Sequence, residues 1–277
     1  PQTVEQYSAY LDDFIEDNLA YFYPPNDDRV KEIARRAADQ AQTVTTKLQL
    51  SPDLTPGLAK LALYDFVILC DNSSSMEQEN RMLALGETLK RVAAFATILS
   101  DYGISVRFLN YDEDCNGEFD NLTKLRDIEK KLGRVPCGGD TRLGTVLKDK
   151  ILKPMVLSKA RRDMLKKPII VVIITDGEPF GEPRDKLREI IRDCKIRMDL
   201  RGYKKSAVIF LISRVGTSLE AATFLDELRA DKEVGNMVYS SADDLNEKWD
   251  IFERNGDNSA YTSLLIKLFL AALESQT

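Results

Sequence analysis

Two aspartates in this sequence each follow a run of mostly apolar residues. Asp71 comes directly after DFVILC, and Asp176 comes directly after IIVVIIT. Ser73 and Ser75 lie at alternate positions beyond Asp71, so that one carboxylate and two hydroxyls share a short turn. Oxygen ligands at alternate positions in a tight loop suit a small, hard cation. The first chemistry that these residues suggest is therefore the binding of a divalent cation.

A glycine-rich segment supplies a further hydroxyl. Residues 138–147 read GGDTRLGTVL, and Thr141 lies between the glycines. Glycine allows the backbone to approach a ligand closely or to move. Any one of these serines or threonines alone is more simply a helix cap, since both residue types are preferred there. The five residues together favour a metal site.

The segments that carry these residues indicate an α/β fold. From residue 64 onward, strand-like and helix-like patterns alternate, which predicts a doubly wound, mostly parallel, Rossmann-like sheet flanked by helices. The predicted strands are 65–70, 103–110, 168–175, 207–212 and 236–239, and the predicted helices are 78–100, 122–132, 142–153, 184–200, 218–230 and 259–274. Ligands of such sheets bind beyond the carboxyl ends of the strands, where the strand order reverses. We therefore expect Asp71 and Asp176 to converge.

Residues 1–63 are predicted to form an N-terminal helical extension before a main domain at 64–277. Apolar residues recur at helical spacing from Val4 to Leu19, and the segment 21–25 (YFYPP) ends that helix. A second helix continues to Ala41 after a cap at Asn26 or Asp27, and 51–57 is a linker or a short capped turn. These apolar stripes indicate packing on the main domain, with a partner-binding arm as the alternative.

The motifs together resemble the von Willebrand factor type A (vWA) family and its metal-ion-dependent adhesion site (MIDAS). The family pattern, Asp-x-Ser-x-Ser, then a Thr in a glycine-flanked loop, then Thr-Asp-Gly, falls on Asp71, Ser73, Ser75, Thr141 and Asp176. The resemblance implies that the three hydroxyls coordinate the cation directly and that the two aspartates act directly or through water. It also implies Mg²⁺ or Mn²⁺, with Ca²⁺ as a further alternative, and a protein partner that offers an Asp or Glu to the metal.

Two residues depart from the family pattern. Ser74 stands where the family usually has Gly, and it would distort the turn if that position required positive φ. Asn72 stands at a position that is variable or acidic in the family, and neither change removes a ligand. Family members also carry an antiparallel edge strand, for which only 118–120 is a candidate here.

The composition sets limits on the partners and the location. The chain has 277 residues and a net charge of −6, which argues against nucleic acid or an anionic membrane as a partner. No run of 18 apolar residues exists, and the first residues lack the features of a secretory signal. The cysteines at 70, 115, 137 and 194 fit no zinc pattern and are most simply free thiols. The residues 60–65 (KLALYD) leading into the first strand are similar to intracellular fungal members of the family, so we expect a cytoplasmic protein, with the nucleus as the alternative.

The absence of histidine bears on catalysis. It excludes Ser-His-Asp and Cys-His catalysis and His-ligated zinc within this sequence, so the protein is predicted not to be an enzyme. The main prediction is a metal-dependent protein-interaction module. One alternative is a metal-dependent phosphotransfer or hydrolase enzyme, for which Glu178 is the nearby candidate base. The other is a scaffold that recognises partners through its N-terminal helices.

Two charged segments have simpler interpretations than their motifs suggest. Residues 112–117 (DEDCNG) match the opening of a calcium loop, but Thr123 occupies the position where such a loop needs a bidentate acid. An acidic, solvated loop is the favoured interpretation. The basic run 159–167 (KARRDMLKK) indicates exposed positive charge on a helix and turn rather than a nuclear-import signal.

Overall fold

The centre of the protein is a parallel sheet that lies between helices. The computed structural model describes residues 1–48, 50–98 and 102–277, and within these ranges five strands form one sheet in the order β2-β1-β3-β4-β5. The strands are β1 (Asp65–Cys70), β2 (Ile104–Phe108), β3 (Ile169–Thr175), β4 (Val208–Arg214) and β5 (Tyr239–Asp244). All neighbouring strands run parallel. The predicted fold class is confirmed.

The order of the strands locates the crevice in which ligands of such sheets bind. The chain passes from β1 to β2 on one side and then crosses to β3 on the other side of β1, so the order reverses between β1 and β3. Ile68 pairs with Val106 of β2 and with Val172 of β3, which fixes the register at the centre. Every residue of β3 is buried, as expected for a run of β-branched residues covered on both faces.

Helices cover both faces of the sheet. They are α1 (Val4–Asn18), α2 (Asp28–Lys47), α3 (Thr55–Leu61), α4 (Arg81–Ala96), α5 (Leu125–Leu132), α6 (Leu143–Val146), α7 (Ser158–Arg161), α8 (Lys186–Asp199), α9 (Leu219–Ala230), α10 (Leu245–Arg254) and α11 (Asn258–Ser275). Parallel crossovers are right-handed, so the crossover to β2 puts α4 on one face and the later crossovers put α8 and α9 on the other. Helices α10 and α11 pack with α4. No helix in the described part of the chain combines the length and the apolar character needed to cross a bilayer.

The helix that follows the Thr141 loop is longer than predicted. A π-helical segment, Leu147–Leu157, joins α6 to α7 without a break and contains Pro154. The predicted end at residue 153 is therefore wrong. Proline normally ends an α-helix because it lacks an N–H group and clashes with the preceding turn. The wider π-helical spacing accommodates it here, and such segments are rare.

The N-terminal helices pack closely on the rest of the protein. Tyr7, Leu11 and Ile15 of α1 are buried, which confirms the predicted apolar stripe. Asp27 accepts a hydrogen bond from the N–H of Arg29 at 2.8 Å, as expected for a cap of α2. The side chain of Ala41, the last residue of the predicted stripe, lies outside the described residues. Segment 51–57 is more ordered than predicted, because a 3₁₀ turn there leads directly into α3.

Other boundaries of helices and strands also differ from the prediction. Strand β5 overlaps the predicted strand 236–239 only at Tyr239, and α10 was not predicted. Helix α4 starts at Arg81 rather than at 78, and the predicted end at 99–100 lies outside the described residues. Trp249, which is 9% exposed, packs into the core from α10.

Residues 118–120, the candidate edge strand, form turns rather than a strand. The neighbouring backbone nevertheless bonds to the edge of the sheet. The carbonyl of Phe119 accepts the N–H of Val106 at 2.9 Å, and Leu122 forms an isolated antiparallel bridge with Ile104. This contact partly covers the exposed edge of β2.

Candidate metal centre

The candidate site lies at the carboxyl ends of β1 and β3, where the strand order reverses. The N–H of Asp71 donates to the carbonyl of Ile174 at 2.8 Å, so the first residue beyond β1 stays paired with β3. Asp71 and Asp176 are both buried. The parallel register of the two strands therefore carries both carboxylates to the same edge of the sheet, as the sequence predicts.

The carboxylate of Asp71 is fixed by two hydrogen bonds. Its Oδ1 accepts the N–H of Ser73 at 2.8 Å, and its Oδ2 accepts the hydroxyl of Thr175 at 2.6 Å. Burial raises the pKa of Asp71, and the nearby charge of Asp176 raises it further, whereas the Thr175 and Ser73 hydrogen bonds lower it. The carboxylate is thus oriented towards a place where a cation would relieve the cost of its burial.

Hydroxyl groups connect the two aspartate loops. The hydroxyl oxygens of Ser73 and Ser75 lie 3.1 Å apart, and the hydroxyl of Ser75 donates to Oδ1 of Asp176 at 2.9 Å. Asp71, Ser73, Ser75 and Asp176 therefore form one continuous hydrogen-bonded cluster. Four of the five predicted ligands are brought together in this way.

The fifth predicted ligand, Thr141, reaches the same edge through its backbone. Its carbonyl accepts the N–H of Phe180, which lies in the loop beyond Asp176, at 3.1 Å. Thr141 is 7% exposed, and its hydroxyl makes no hydrogen bond to another described residue. The structure thus holds the Thr141 loop beside the cluster without joining the hydroxyl to it.

Asn72 and Asn110 hold the Thr141 loop, a role that was not predicted from the sequence. The Asn72 side chain donates to the carbonyl of Pro136 and accepts the N–H of Asn110, both at 2.8 Å. The Asn110 side chain in turn donates to the carbonyl of Asp140 at 2.8 Å. A side chain on Gly139, which has φ +82°, would lie 2.6 Å from the Asn110 side chain, so this position requires glycine. The available signal in the sequence was an asparagine two residues beyond the end of each of two neighbouring strands, β1 and β2.

Arg81, the first residue of α4, was also missed. Its Nη1 lies 2.5 Å from Oδ2 of Asp176 and 3.3 Å from the carbonyl of Ser75. Its Nη2 pairs with Glu79 at 2.8 Å. Arg81 is only 7% exposed, so a positive charge is built into the edge of the candidate centre.

Backbone geometry makes room for this arginine. Glu79 and Asn80 have φ values of +51° and +59°, a left-handed conformation that is unfavourable for glutamate and that asparagine adopts more readily. Gly216 has φ +81°, and a Cβ there would lie 2.5 Å from Nε of Arg81. Ser74 is not among the residues with positive φ, so the serine at the usual glycine position does not strain the turn.

Glu178 and Glu182 lie in the loop after Asp176 and serve structural contacts. Glu178, the candidate base of the enzyme alternative, forms an ion pair with Arg184. The two carboxylate oxygens of Glu182 accept the N–H groups of Gly144 and Thr145 at 2.7 and 2.9 Å. A negative charge at the start of a helix is favourable. Glu182 therefore fastens the loop after Asp176 to the first turn of α6.

In the acidic segment 112–117, a lysine of the same chain neutralises the buried carboxylate. Asp114 is buried and accepts the N–H of Phe108, and Lys150 lies 3.3 Å from the Asp114 carboxylate. Lys150 also donates to the carbonyls of Phe108 and Tyr111 at 2.8 and 2.7 Å. This arrangement explains the acidic residues without a calcium ion.

The cysteines near the site are not activated. Burial raises the pKa of the Cys115 and Cys137 thiols, which keeps both groups in the less reactive thiol form. The carboxylate of Asp114 raises the pKa of Cys115 further. The simple interpretation as free thiols agrees with this environment.

The side chains that could bind a cation here determine which cation fits the site. Among the described residues, no group of three or more Asp, Glu, Cys or His side chains is arranged to hold a metal ion. Any cation bound here must therefore use hydroxyl oxygens beside the two carboxylates. Such an all-oxygen set fits Mg²⁺ or Mn²⁺ and does not fit zinc or copper.

The comparison with known families agrees with the fold. The family model of the von Willebrand factor type A domain matches residues 65–248. A search of curated proteins found no match. Domains of this family generally mediate protein interactions and are typically non-enzymatic. The matched region begins at the first residue of β1, includes every residue of the candidate centre and extends into α10, and the chain belongs to the von Willebrand factor type A domain family.

Proposed function

We propose that this protein is a metal-dependent protein-interaction module. A divalent cation, Mg²⁺ or Mn²⁺ with Ca²⁺ as an alternative, binds through Asp71, Ser73, Ser75, Thr141 and Asp176. The cation then accepts an Asp or Glu carboxylate from a protein partner. The observation that carries this proposal is the hydrogen-bonded cluster of Asp71, Ser73, Ser75 and Asp176 at the point where the strand order reverses.

The chemistry of the donors explains why a carboxylate is the expected partner group. Three of the five donors are neutral hydroxyls, so the two aspartates supply all of the formal negative charge. A divalent cation in such a site remains a strong Lewis acid, and it attracts an anionic oxygen from outside. The residues of the chain orient these donors: Thr175 holds Asp71, and Ser75 holds Asp176.

The unpaired hydroxyl of Thr141 supports its inclusion among the ligands. Thr141 as a residue is 7% exposed, and its hydroxyl, which keeps some contact with solvent, has no hydrogen-bond partner among the described residues. Because no protein group occupies this hydroxyl, its lone pairs are available to a cation. The Asn72 and Asn110 contacts hold its loop beside the cluster.

A titration with Mg²⁺ and Mn²⁺ tests the metal site. Calorimetry on the wild type should give saturable binding, and Ser75→Ala or Thr141→Ala should weaken it by about tenfold or more, which is about 1.4 kcal/mol. Ser74→Ala is the matched control, because Ser74 is exposed and lies between the two proposed serine ligands. Equal binding by the wild type and Ser75→Ala, with both proteins folded, would refute the assignment.

A displayed peptide library tests the partner group. Selection on the wild type in Mg²⁺ should enrich peptides with an Asp or Glu, and the corresponding Asn or Gln peptides should lose binding. EDTA should abolish the same binding, and Thr141→Ala should weaken it at Mg²⁺ concentrations that do not saturate the variant. Enriched peptides that tolerate both EDTA and the amide replacement would leave the metal site intact but exclude the carboxylate mechanism.

The remaining expectations belong to the same proposal. We place the boundary of the helical extension near residue 64 and expect a cytoplasmic protein similar to fungal family members, with the nucleus as the alternative. The four free cysteines support a reducing compartment. Imaging of the tagged protein in fungal cells tests the location.

The Glu178–Arg184 ion pair supports a non-enzymatic site, because it engages the candidate base.

A further inference from the structure

A second candidate site lies on the helical layer away from the metal centre. A groove of about 710 Å³ runs between the helical stretch Leu147–Arg161 and α8. Its lining residues come from the π-helical segment, from α7, from α8 between Ile190 and Arg197, and from Leu200 and Arg201 just beyond α8. None of the predicted metal ligands lines this groove.

The groove is strongly cationic although the whole chain is acidic. Five basic side chains line it, with Asp149 and Asp193 as its only carboxylates, while the chain carries a net charge of −6. Four of the five, Lys148, Lys153, Arg161 and Arg201, form no ion pair with another described residue; the fifth, Arg197, pairs with Asp193 at 2.8 Å. Uncompensated positive charge concentrated in a cleft attracts an anionic partner.

The floor of the groove is apolar. Leu152 and Ile190 are buried at its base, Leu157 lies beside them, and Leu200 at the rim is 80% exposed. Ile196, one helical turn before Leu200, is 48% exposed. Phosphate and a nucleic-acid backbone offer no apolar surface that could cover an exposed leucine. A peptide can present apolar and acidic side chains together.

We propose that this groove docks an acidic amphipathic helix of a partner protein. Apolar side chains of the partner at helical spacing would occupy the floor formed by Leu152, Leu157 and Ile190 and would cover Leu200. Glu or Asp residues at the flanks of the helix would pair with Lys148, Lys153, Arg161 and Arg201. The interaction does not require the metal centre, so it extends the proposed function rather than depending on it.

Selection from a displayed library of helical peptides tests the proposal directly. The peptides span about five helical turns and vary among Glu, Lys, Ser and Leu. Selection uses the wild type in EDTA, which removes any contribution of a bound cation, with counter-selection on the double variant Arg161→Glu/Arg201→Glu. The enriched peptides should carry Leu at helical spacing with Glu on the flanks. The absence of enrichment, or the enrichment of lysine-rich peptides, overturns the proposal.

Variants then locate the binding. Arg161→Glu/Arg201→Glu should weaken the enriched peptide by about a hundredfold, and Leu200→Ser should weaken it by about tenfold. The double variant Lys124→Glu/Arg126→Glu makes the same charge change at exposed residues near the start of α5 and should stay within about threefold of the wild type. Circular dichroism verifies that each variant is folded. Equal losses in both double variants would mean that only the net charge matters, which contradicts a built groove.

Polyanions provide the competing outcome. Heparin, single-stranded DNA and vesicles of anionic phospholipid are titrated under the same conditions. If one of them binds more tightly than every selected peptide and loses affinity in Arg161→Glu/Arg201→Glu, the groove is a polyanion site and the peptide proposal is wrong. Tighter binding of the acidic peptide, with loss of affinity in Leu200→Ser, supports it.

Discussion

The guanidinium of Arg81 lies 2.5 Å from the carboxylate of Asp176 inside the candidate metal centre. Both side chains are almost fully buried, with 8% and 0% of their surfaces exposed. A charge pair of this kind is screened little by solvent, and the loss of one partner leaves the other charge buried and uncompensated. Arg81 therefore neutralises Asp176 when no cation is bound, and it opposes the arrival of a divalent cation.

Replacement of Arg81 by Met should have opposite effects on stability and on metal binding. Without metal, Asp176 loses its partner, and unfolding in urea with EDTA should become easier by about 3–5 kcal/mol. The affinity for Mg²⁺, measured by calorimetry, should rise by about tenfold or more, because the competing positive charge is gone.

Arg81→Lys serves as the control, since it keeps the charge while it loses the second hydrogen-bonding arm. Its Mg²⁺ affinity should stay nearer to that of the wild type, and saturating Mg²⁺ should restore much of the stability that Arg81→Met loses. Weaker Mg²⁺ binding by a folded Arg81→Met protein would show that the arginine positions Asp176 for the cation and does not compete with it.

Asn72→Ala should destabilise the protein and weaken metal binding together. The change leaves the carbonyl of Pro136 and the N–H of Asn110 without their partner, at a cost of about 2–4 kcal/mol for two hydrogen bonds. Urea unfolding and Mg²⁺ calorimetry measure the two effects. Asn116→Ala is the matched control, because this exposed side chain accepts one local hydrogen bond from Glu118. A loss of stability with unchanged Mg²⁺ affinity would contradict the prediction. It would mean that the Asn72 hydrogen bonds do not position Thr141 for the cation.

Gly144→Ala should destabilise the contact between α6 and α8. A Cβ at this position would lie 2.7 Å from the backbone nitrogen of Leu187 and from the carbonyl carbon of Lys186. Backbone atoms at that distance have to shift, which costs about 1–3 kcal/mol. Gly133→Ala is the control, because its nearest contact is an ordinary 3.5 Å to Glu129. Thermal unfolding should separate the two variants clearly, and similar melting temperatures would disprove the close approach.

The stability of the protein should depend on pH through Lys195, which is buried in α8. Its ammonium group donates to the carbonyls of Lys205 and Val208 and to the side chain of Gln276. Burial lowers the pKa of Lys195 to about 7, from an ordinary value of 10.5. Between these two values the unfolded chain binds more protons than the folded protein, so the free energy of unfolding rises with pH.

The rise should reach about 2 kcal/mol between about pH 7 and about pH 8.5, at about 1.4 kcal/mol per pH unit. Urea unfolding of wild type and Lys195→Met at a series of pH values isolates this effect, because the other titrating groups are common to both proteins. Lys232→Met, at an exposed lysine, should show the same pH dependence as the wild type. Parallel curves for wild type and Lys195→Met would mean that Lys195 keeps an ordinary pKa.

The sequence predicted the parts of the site that depend on local pattern. Strands β1 and β3 are continuous apolar runs with sharp ends, so Asp71 and Asp176 could be placed at one edge of the sheet. Arg81 could not be found in this way, because its direction depends on two successive left-handed residues and on the space above Gly216. These features depend on the backbone geometry and leave no periodic pattern in the sequence.

Two errors in the fold have similar causes. Strand β5 contains the polar sequence YSSADD, whose pairing with β4 outweighs its low strand propensity. The helix after Thr141 passes through Pro154 because its backbone widens into a π-helical form. Strand pairing in the first place and a widened backbone in the second outweigh the local propensity, and neither leaves a periodic pattern in the sequence.

The two carboxylate oxygens of Glu182 connect the candidate metal centre to the helices that line the cationic groove. They accept the N–H groups of Gly144 and Thr145 at the start of α6. The loop that follows Asp176 is therefore hydrogen-bonded to the segment that follows Thr141. The helical stretch that continues from α6 lines the cationic groove together with α8. A displacement of these helices by a ligand at one place would reach the other through this continuous secondary structure. Occupancy of either place is therefore expected to change the affinity of the other, and by the same factor in both directions.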